Sequence, residues 1–445
     1  MRKILIITYH FPPDAEVGGL RAEKFAKYLP GFGWMPYVLT VRDEYYPRKD
    51  GERGVDGKSK IFRTKMLLGP REIYCKTKEL IGFILKIGKT PNEPKDEYFG
   101  EGRFELWERS VSPFKRFIFW MLWLPDDRTG WIIPAVLRGI KVIKQEHIET
   151  VMTTSPPHSV QIIGLILKKI LGKRWVVDFR DPWSLLIKKE RLPGYKIHGW
   201  LERKVIENAD AVVMATEVVR QGYLKAYPGI APEKFVCIPN GFDPEDISSA
   251  KENKHLENRD FSISYLGEFY FGRTPEVFLR AVSELIELGL IPGDRLKLRF
   301  IGNVRYFGRK ALEDVISEIG LSDVTEIIDP VPYFKAIEYM VESKVLLVFS
   351  PQPFFQPTKV FEYMASGAFV IAFTPPGALA GLVSQYPKGI VVDYHDVEGA
   401  KKAVMFCYDR FLKREGTPEP DNSKMEKSIE VYERKHLTKR LSAYL

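Results

Sequence analysis

The sequence predicts an α/β protein made of two doubly wound parallel sheets, and three observations carry that reading. Short apolar, β-branched runs alternate with helical segments up to about residue 240, and a second alternation of the same kind starts near 261. Residues 244–260, PEDISSAKENKHLENRD, are polar and aperiodic and read as a linker between the two series. Apolar residues fill 45% of the 445 positions and charged residues 28%, a balance that excludes wholesale disorder.

The opening KILIITYHF reads as a strand rather than a signal peptide. The loop PPDAEVGG leads into LRAEKFAKYL, where Ala22, Phe25, Ala26 and Leu29 share one helical face. Pro30 and Gly31 end that helix, and MPYVLTV completes a βαβ unit. Residues 43–118, rich in Lys, Arg, Gly and Pro, read as an excursion from the sheet with one helix, ELIGFILKIGK. The excursion ends in FELWERSVSPFKRFIFWMLWLP, where aromatic and basic residues interleave. Such a segment suits either a membrane interface or a core helix with basic residues at its solvent edge. After Gly130 the alternation resumes with helix IIPAVLRGIKVIKQ, strand ETVMTTS, helix SVQIIGLILKKIL and strand RWVVDFR. Helices near 198–207 and 217–226 then precede strands AVVMAT and FVCIPN.

The second series opens with strand FSISYLGEF, helix PEVFLRAVSELIELG and strand KLRFIG. A strand within VTEIIDPVPY, helix KAIEYMVES, strand VLLVFS, helix TKVFEYMASG and strands FVIAF and GIVVDY follow. SIEVYERKHLTKRLSAYL reads as a final helix after the loop GTPEPDNS. The domains are thus expected at 1–243 and 261–420, with a C-terminal helix at 426–445 and the two sheets facing across a cleft.

Charge is uneven. Residues 1–250 hold 41 Lys and Arg against 31 Asp and Glu, and the remainder holds 26 against 27. A basic first half suits an anionic partner such as phosphate, a lipid surface or nucleic acid, or is simply a solvated basic face. The longest apolar run, Phe117 to Pro125, has nine residues, about half the roughly 20 needed to cross a bilayer. The three cysteines, Cys75, Cys237 and Cys407, form no zinc spacing or disulfide framework, which fits a cytoplasmic setting.

Ligands of open α/β sheets bind at the carboxyl ends of strands, so the residues there are the candidates. Gly18 and Gly19 after the first strand allow close backbone approach to an anion at a helix start, or simply make a tight turn. After RWVVDF come Arg180 and Asp181, an ion pair or a working pair. After ETVMTTS comes His158, a residue type that in a loop is more often structural than catalytic. In the second half, Gly267 ends the first strand and Arg273 lies six residues on. Pro357 suits a first helical turn, which sets Thr358 and Lys359 at a helix N-terminus as a phosphate seat. Glu362, four residues after Thr358, shares that face and suits a ribose diol.

Several functions are excluded. Gly82 to Thr90 mimics a P-loop but has five residues between its glycines, and Pro91 follows. No G-x-G-x-x-G follows the first strand, and there is no G-x-S-x-G, H-E-x-x-H or D-x-D. No RNA-binding aromatic motif or zinc spacing supports a nucleic-acid partner.

Together, YHFPPDAEVGGLRAEKFAKYL, TSPPHS, VDFRDPW, CIPNGFD, YLGEFYFGR and TKVFEYMASGAFVIAF resemble the GT-B family 4 of retaining glycosyltransferases. The resemblance covers nearly the whole chain, and WLPDDRTGW, TSPPHS and DFRDPW look like its exopolysaccharide and capsule branch. It implies two Rossmann-like domains, a C-terminal helix returning to the first of them, and transfer without a metal or other cofactor. The donor would be a nucleotide sugar, a UDP-sugar before a GDP-sugar, and the acceptor a glycan or lipid-linked glycan. A cytoplasmic location is compatible with it, and the basic first half with the FKRFIFWMLW segment suits a peripheral place on the inner membrane face. By position, Gly18 and Gly19 would approach the donor diphosphate, Arg273 and Lys359 would neutralise it, Glu362 would hold the ribose, and Val331 and Tyr333 would border the base.

Three positions depart from the family pattern. The first acid of its E-x7-E motif falls at Phe354, the basic residue after the glycine is Glu268, and Arg180 and Asp181 stand where a His is frequent. His158, Arg180 and Asp181 remain the catalytic candidates. A nucleotide-sugar epimerase of the same fold is the nearest alternative, and a basic membrane-surface or nucleic-acid-binding protein is the alternative of another class.

Overall fold

The computed structural model describes residues 1–54, 59–69, 72–73, 76–77, 124–184, 195–252, 260–270, 272–413 and 423–445. They form two compact units, Met1–Pro239 with Thr438–Leu445, and Asn240–Leu437.

The first unit is built on seven parallel strands: β1 Arg2–Ile7, β2 Trp34–Val41, β3 Lys60–Thr64, β4 Thr150–Ser155, β5 Arg174–Phe179, β6 Ala211–Met214 and β7 Phe235–Cys237. Their order is β3-β2-β1-β4-β5-β6-β7. Ile4 to Ile7 of β1 have no exposed surface, as expected of a parallel strand covered on both faces. Its helices are α1 Leu20–Tyr28, α2 Ile132–Glu146, α3 Ser159–Leu171, α4 Tyr195–Asn208 and α5 Glu217–Ala226. A buried ion pair braces this sheet. Arg21 of α1 donates to Asp178 of β5 at 2.9 Å and to the carbonyls of Pro239 and Ile238 at 2.7 and 2.8 Å. Breaking such a pair typically costs about 3–5 kcal/mol.

The second unit holds α6 Pro244–Glu252, β8 Phe261–Glu268, α7 Glu276–Glu287, β9 Leu296–Asn303, a two-stranded ribbon of β10 Tyr306–Phe307 and β11 Lys310–Ala311, and α8 Leu312–Glu318. It continues through β12 Thr325–Ile328, α9 Tyr333–Glu342, β13 Val345–Phe349, α10 Lys359–Ser366, β14 Phe369–Phe373, α11 Ala378–Val383, β15 Gly389–Val392, α12 Val397–Leu412 and α13 Ser423–Glu430, and α14 Arg434–Ser442 starts in it and passes to the first unit at Thr438. Its main sheet is parallel in the order β12-β9-β8-β13-β14-β15. Strand alternation splits the core in two. Val345, Leu347 and Phe349 join one apolar cluster with α7 and α12, whereas Leu346 and Val348 join another with α9, α10 and α11.

The structure corrects four sequence readings. Lys60–Thr64, inside the expected excursion, is an edge strand parallel to β2. Its alternation is weak because it is partly exposed, which hides an edge strand from a hydrophobicity reading. Residues 244–252, read as linker, form a helix that buries Ile247 and Ala250; 253–259 lie outside the described residues. The final helix is two helices, and only its last part, Thr438–Leu445, clusters with the first unit. Helices α8, α11 and α12 were not anticipated. The helix ELIGFILKIGK, Cys75 and the aromatic-basic segment up to residue 123 lie outside the described residues. Among the described residues no helix is long and apolar enough to cross a membrane.

Each sheet reverses its winding once, between β1 and β4 and between β8 and β13. Such switch points open crevices at the strand carboxyl ends. The Gly18 and His158 loops follow β1 and β4, Gly267 is the penultimate residue of β8, and Lys359 follows β13. The candidates therefore fall at the two switch points. At the second, β8 and β13 pair through Ile263–Val345 and Ser264–Leu346.

Candidate active-site residues

In the second unit, Lys359 is the first residue of α10. Its ammonium donates to the Leu266 carbonyl and lies 3.9 Å from the centre of the Tyr265 ring. Tyr363, one turn further along α10, also meets Leu266: its hydroxyl accepts from the Leu266 N–H at 3.1 Å. The open end of β8 is thus capped by side chains of α10. Gly267 is required here. Its φ is +140°, and a Cβ would stand 2.6 Å from Lys359 Nζ.

Arg273 lies in the same neighbourhood. Its guanidinium stacks 4.2 Å from the Tyr270 ring centre, acts electrostatically on the Tyr265 side chain, and repels the Lys359 ammonium. Burial, and then Arg273, hold the Lys359 pKa well below that of an ordinary lysine. Among the described residues neither cation has a carboxylate at ion-pair distance. An ammonium carries three donors, and only one of Lys359's is engaged.

Thr358 is the N-cap of α10 and makes no side-chain capping bond. Glu362 lies one turn in, 4% exposed, and accepts from the Tyr333 hydroxyl at 3.0 Å. Val331 packs beside Tyr333 against the α9–α10 core cluster. Phe354, at the first-acid position of the expected motif, pairs with Phe355 at 4.7 Å. Glu268 accepts from the Asn303 side chain. The structure therefore brings Gly267, Arg273 and Lys359 together around Tyr265, and Tyr333 and Glu362 together through one hydrogen bond.

In the first unit the expected working pair has another arrangement. Arg180 donates through Nη1 to the Gly18 carbonyl, through Nη2 to Pro156, and through Nε to Ser155 at 3.1 Å. All three guanidinium nitrogens are engaged with backbone, and Asp178 and Asp181 balance its charge. This geometry makes Arg180 a clamp between the β1 and β4 loops. Gly18 accommodates it, since a Cβ there would stand 2.8 Å from Nη1. Gly19 is buried beside the His10 carbonyl.

His158 caps α3 and stacks on Trp183 with ring centres 4.8 Å apart and planes 4° apart. Its Nδ1 is buried without a hydrogen-bond partner among the described residues. Burial, then His198 and Arg180, push its pKa down to about 3, so the imidazole is neutral at pH 7. Such a group is a weak general base, and its chemistry is that of a neutral hydrogen-bonding ring.

Several site-supporting residues escaped the sequence reading. Trp183 Nε1 donates to His198 Nδ1 at 3.0 Å, and Trp is donor-only, so the His198 proton is on Nε2. Buried Glu202 holds Ser184 and Tyr223, and burial pushes its carboxyl pKa up. Asp126 accepts from the Ser159 N–H at 2.7 Å at the start of α3. Its place in WLPDDRTGW was the available signal. Tyr265 and Tyr363 carried none, since each reads as ordinary strand or helix content, and Asp246 fell in the segment read as linker.

Comparison with known proteins agrees with the fold. Residues 90–246 match Glycosyltransferase Family 4, and residues 260–410 match Glycosyl transferases group 1. A D-inositol 3-phosphate glycosyltransferase of Thermobifida fusca is 24% identical over 212 residues, 46% of this chain and 48% of that protein. The chain spans about half the length of the curated relatives it matches. The sucrose-phosphate synthase of Thermosynechococcus elongatus superposes over 100% of this chain and 98% of its own, with a TM-score of 0.63 at 15% identity. Anabaena Alr3699/HepE, solved with UDP and glucose, covers 100% and 99% with a TM-score of 0.60 at 14% identity. With its family 4 segment leading into a group 1 segment on two parallel-sheet units, the chain belongs to the GT-B glycosyltransferases.

Proposed function

We propose that the chain moves a sugar, with retention and without a metal ion, from a nucleoside-diphosphate sugar to a glycan or lipid-linked acceptor. The observation that carries this reading is the pair Lys359 and Arg273, two neighbouring cations with no carboxylate at ion-pair distance among the described residues. Like charges held together this way favour a dianionic ligand. The N-terminus of α10 adds its dipole in the same place.

The chemistry follows from charge. Cleaving the glycosyl–phosphate bond leaves an oxocarbenium-like sugar and adds negative charge to the departing diphosphate. Fixed donors aimed at that charge stabilise the transition state more than the ground state. Lys359 and Arg273 supply them, and the leaving phosphate takes the acceptor hydroxyl's proton. Neutral His158 then orients that hydroxyl rather than deprotonating it. UDP is the preferred carrier, which the UDP-glucose complex of Anabaena HepE supports. The basic excess of residues 1–250 suits an acceptor presented on an anionic membrane face.

A thermal-shift series with UDP, GDP, ADP and uridine tests the reading. Binding stabilises in proportion to occupancy, so one diphosphate is expected to raise Tm in a concentration-dependent way and by more than uridine does at the same concentration. No shift with any diphosphate contradicts the proposal. Incubating the donor alone separates transferase from epimerase, since a changed sugar on the nucleotide marks the latter.

A further inference from the structure

Exposed aliphatic side chains gather on one part of the first unit. Ile133 and Leu137 stand one turn apart on the outer face of α2, 62% and 64% exposed. Leu67, Leu68 and Ile73 follow β3, and each is about half exposed. The two segments are stitched together. The Leu67 N–H donates to the Gly130 carbonyl at 3.1 Å, and beneath them Trp131 Nε1 donates to Thr64 Oγ1 at 2.7 Å. Lysines border these side chains. Lys141 and Lys144 continue the stripe of Ile133 and Leu137, ending about 16 Å along the helix axis from Ile133. Lys65 and Lys76 lie to either side of the leucines and Ile73. All four lysines are exposed, and none has a carboxylate partner among the described residues. The acids of the same segments are engaged locally. Glu72 accepts from the Gly69 N–H at 2.6 Å, Asp127 pairs with Arg128 at 3.3 Å, and Glu146 pairs with Lys60 at 2.9 Å. An apolar patch rimmed by free cations marks a contact surface rather than ordinary solvent-facing content.

We propose that this face seats the first unit on an anionic lipid surface, with the aliphatic side chains entering the interfacial layer and the lysines meeting lipid phosphates. Entry removes apolar area from water, and each lysine close to an anionic leaflet adds roughly fivefold in affinity. Charge selects lipid over a second copy of the chain. A two-fold contact through this face would set the two sets of lysines against each other, whereas an anionic leaflet neutralises them. The position of the patch is also informative. Helix α2 leads into β4, so its N-terminus stands at the carboxyl ends of the parallel strands. Asp126, just before it, accepts from the Ser159 N–H at 2.7 Å and ties this entrance to the His158 loop. A lipid-borne acceptor would therefore rise from the leaflet at the end of the sheet that carries the first-unit candidates. That last step alone rests on the transferase reading above; the surface itself does not.

The test is co-sedimentation of the full chain with vesicles of phosphatidylcholine alone, or of phosphatidylcholine and phosphatidylglycerol in equal parts. The unsubstituted chain is expected to bind the mixed vesicles about tenfold or more tightly than the neutral ones, and added salt should narrow the gap. Ile133→Glu combined with Leu137→Glu is expected to weaken binding to mixed vesicles about tenfold or more with Tm unchanged, since both side chains face solvent. Lys141→Gln combined with Lys144→Gln is expected to lose roughly 10- to 30-fold on mixed vesicles and little on neutral ones. The lysine pair keeps the proposal open to test if the glutamates disturb α2. Vesicle binding that is equal in all three proteins overturns it. So does a glutamate variant that melts several degrees lower yet keeps its vesicle binding, which would assign the face to the chain's own residues 78–123. A glutamate variant that turns a dimer into a monomer in sedimentation velocity, with vesicle binding kept, assigns the face to a second copy and overturns it too. UDP thermal shifts on the same preparations separate the two readings. A chain that UDP stabilises but that ignores anionic vesicles loses this surface and keeps the nucleotide site; one that binds the vesicles but no diphosphate keeps the surface alone.

Discussion

Two strand ends of this molecule carry the same motif, a long cation folded over a glycine, and they differ in what surrounds the cation. At Gly18 the cation is Arg180, whose three nitrogens reach three backbone carbonyls and whose charge is balanced by Asp178 and Asp181. At Gly267 it is Lys359, with one carbonyl partner and a second cation, Arg273, beside it. The first arrangement is complete without a ligand. The second is not, because two of the ammonium's three donors are unused among the described residues, while Glu268 and Glu362 act on it electrostatically without pairing with it. Saturation of partners, rather than residue type or proximity to a glycine, separates a cation that holds the fold from one that awaits an anion.

The largest expected effect lies on the unsaturated side. Lys359→Ala should lower kcat about 10²- to 10³-fold, the typical loss for one donor to developing charge. Its Tm should hold or rise, since a like-charged neighbour of Arg273 is removed. Steady-state kinetics and a melting curve on the same preparation check both halves. Arg180→Ala should do the reverse. Leaving the Gly18, Pro156 and Ser155 carbonyls without their donor should cost on the order of 3 kcal/mol of stability. Activity per folded molecule should fall far less than in Lys359→Ala, and equal kinetic losses in the two variants would erase the distinction.

The glycines sharpen the contrast. Gly267→Ala must adopt φ +140° and push Lys359 aside, so both stability, by roughly 1–3 kcal/mol, and UDP affinity should drop. Gly18→Ala meets only the Arg180 clamp, so denaturant midpoint should move with UDP affinity near normal.

How much of this was legible beforehand depends on whether the signal is local. The βα alternation, the glycine at the end of β8 and the Pro357–Lys359 helix start are each written in a few adjacent residues, and all lie where the pattern places them. The edge strand Lys60–Thr64 was not legible, because half-exposed strands lack a full apolar run. The status of Arg180 was not legible either. An Arg-Asp dipeptide looks the same whether its guanidinium faces a substrate or three carbonyls, and only the tertiary fold decides. The Tyr333, Asp246 and Glu362 cluster shows the same limit, since helices far apart in sequence create it.

A further expected effect is a pH dependence confined to the first unit. His158 titrates near 3 in the folded chain against an ordinary 6.5, so the unfolded chain binds more protons between those values. Stability from this group is therefore full above about pH 6.5 and lost as pH falls toward 3, at up to about 1.4 kcal/mol per pH unit. Denaturant midpoints between pH 7 and 4.5 should fall less steeply in His158→Gln than in the unsubstituted chain.

The account stands most directly on the affinity of Lys359→Ala for UDP and for uridine, measured by calorimetry beside the unsubstituted chain. A loss of about tenfold or more for UDP, with uridine binding unchanged, is the predicted result, because only the diphosphate meets the missing ammonium. Equal UDP affinity in the two proteins would contradict it.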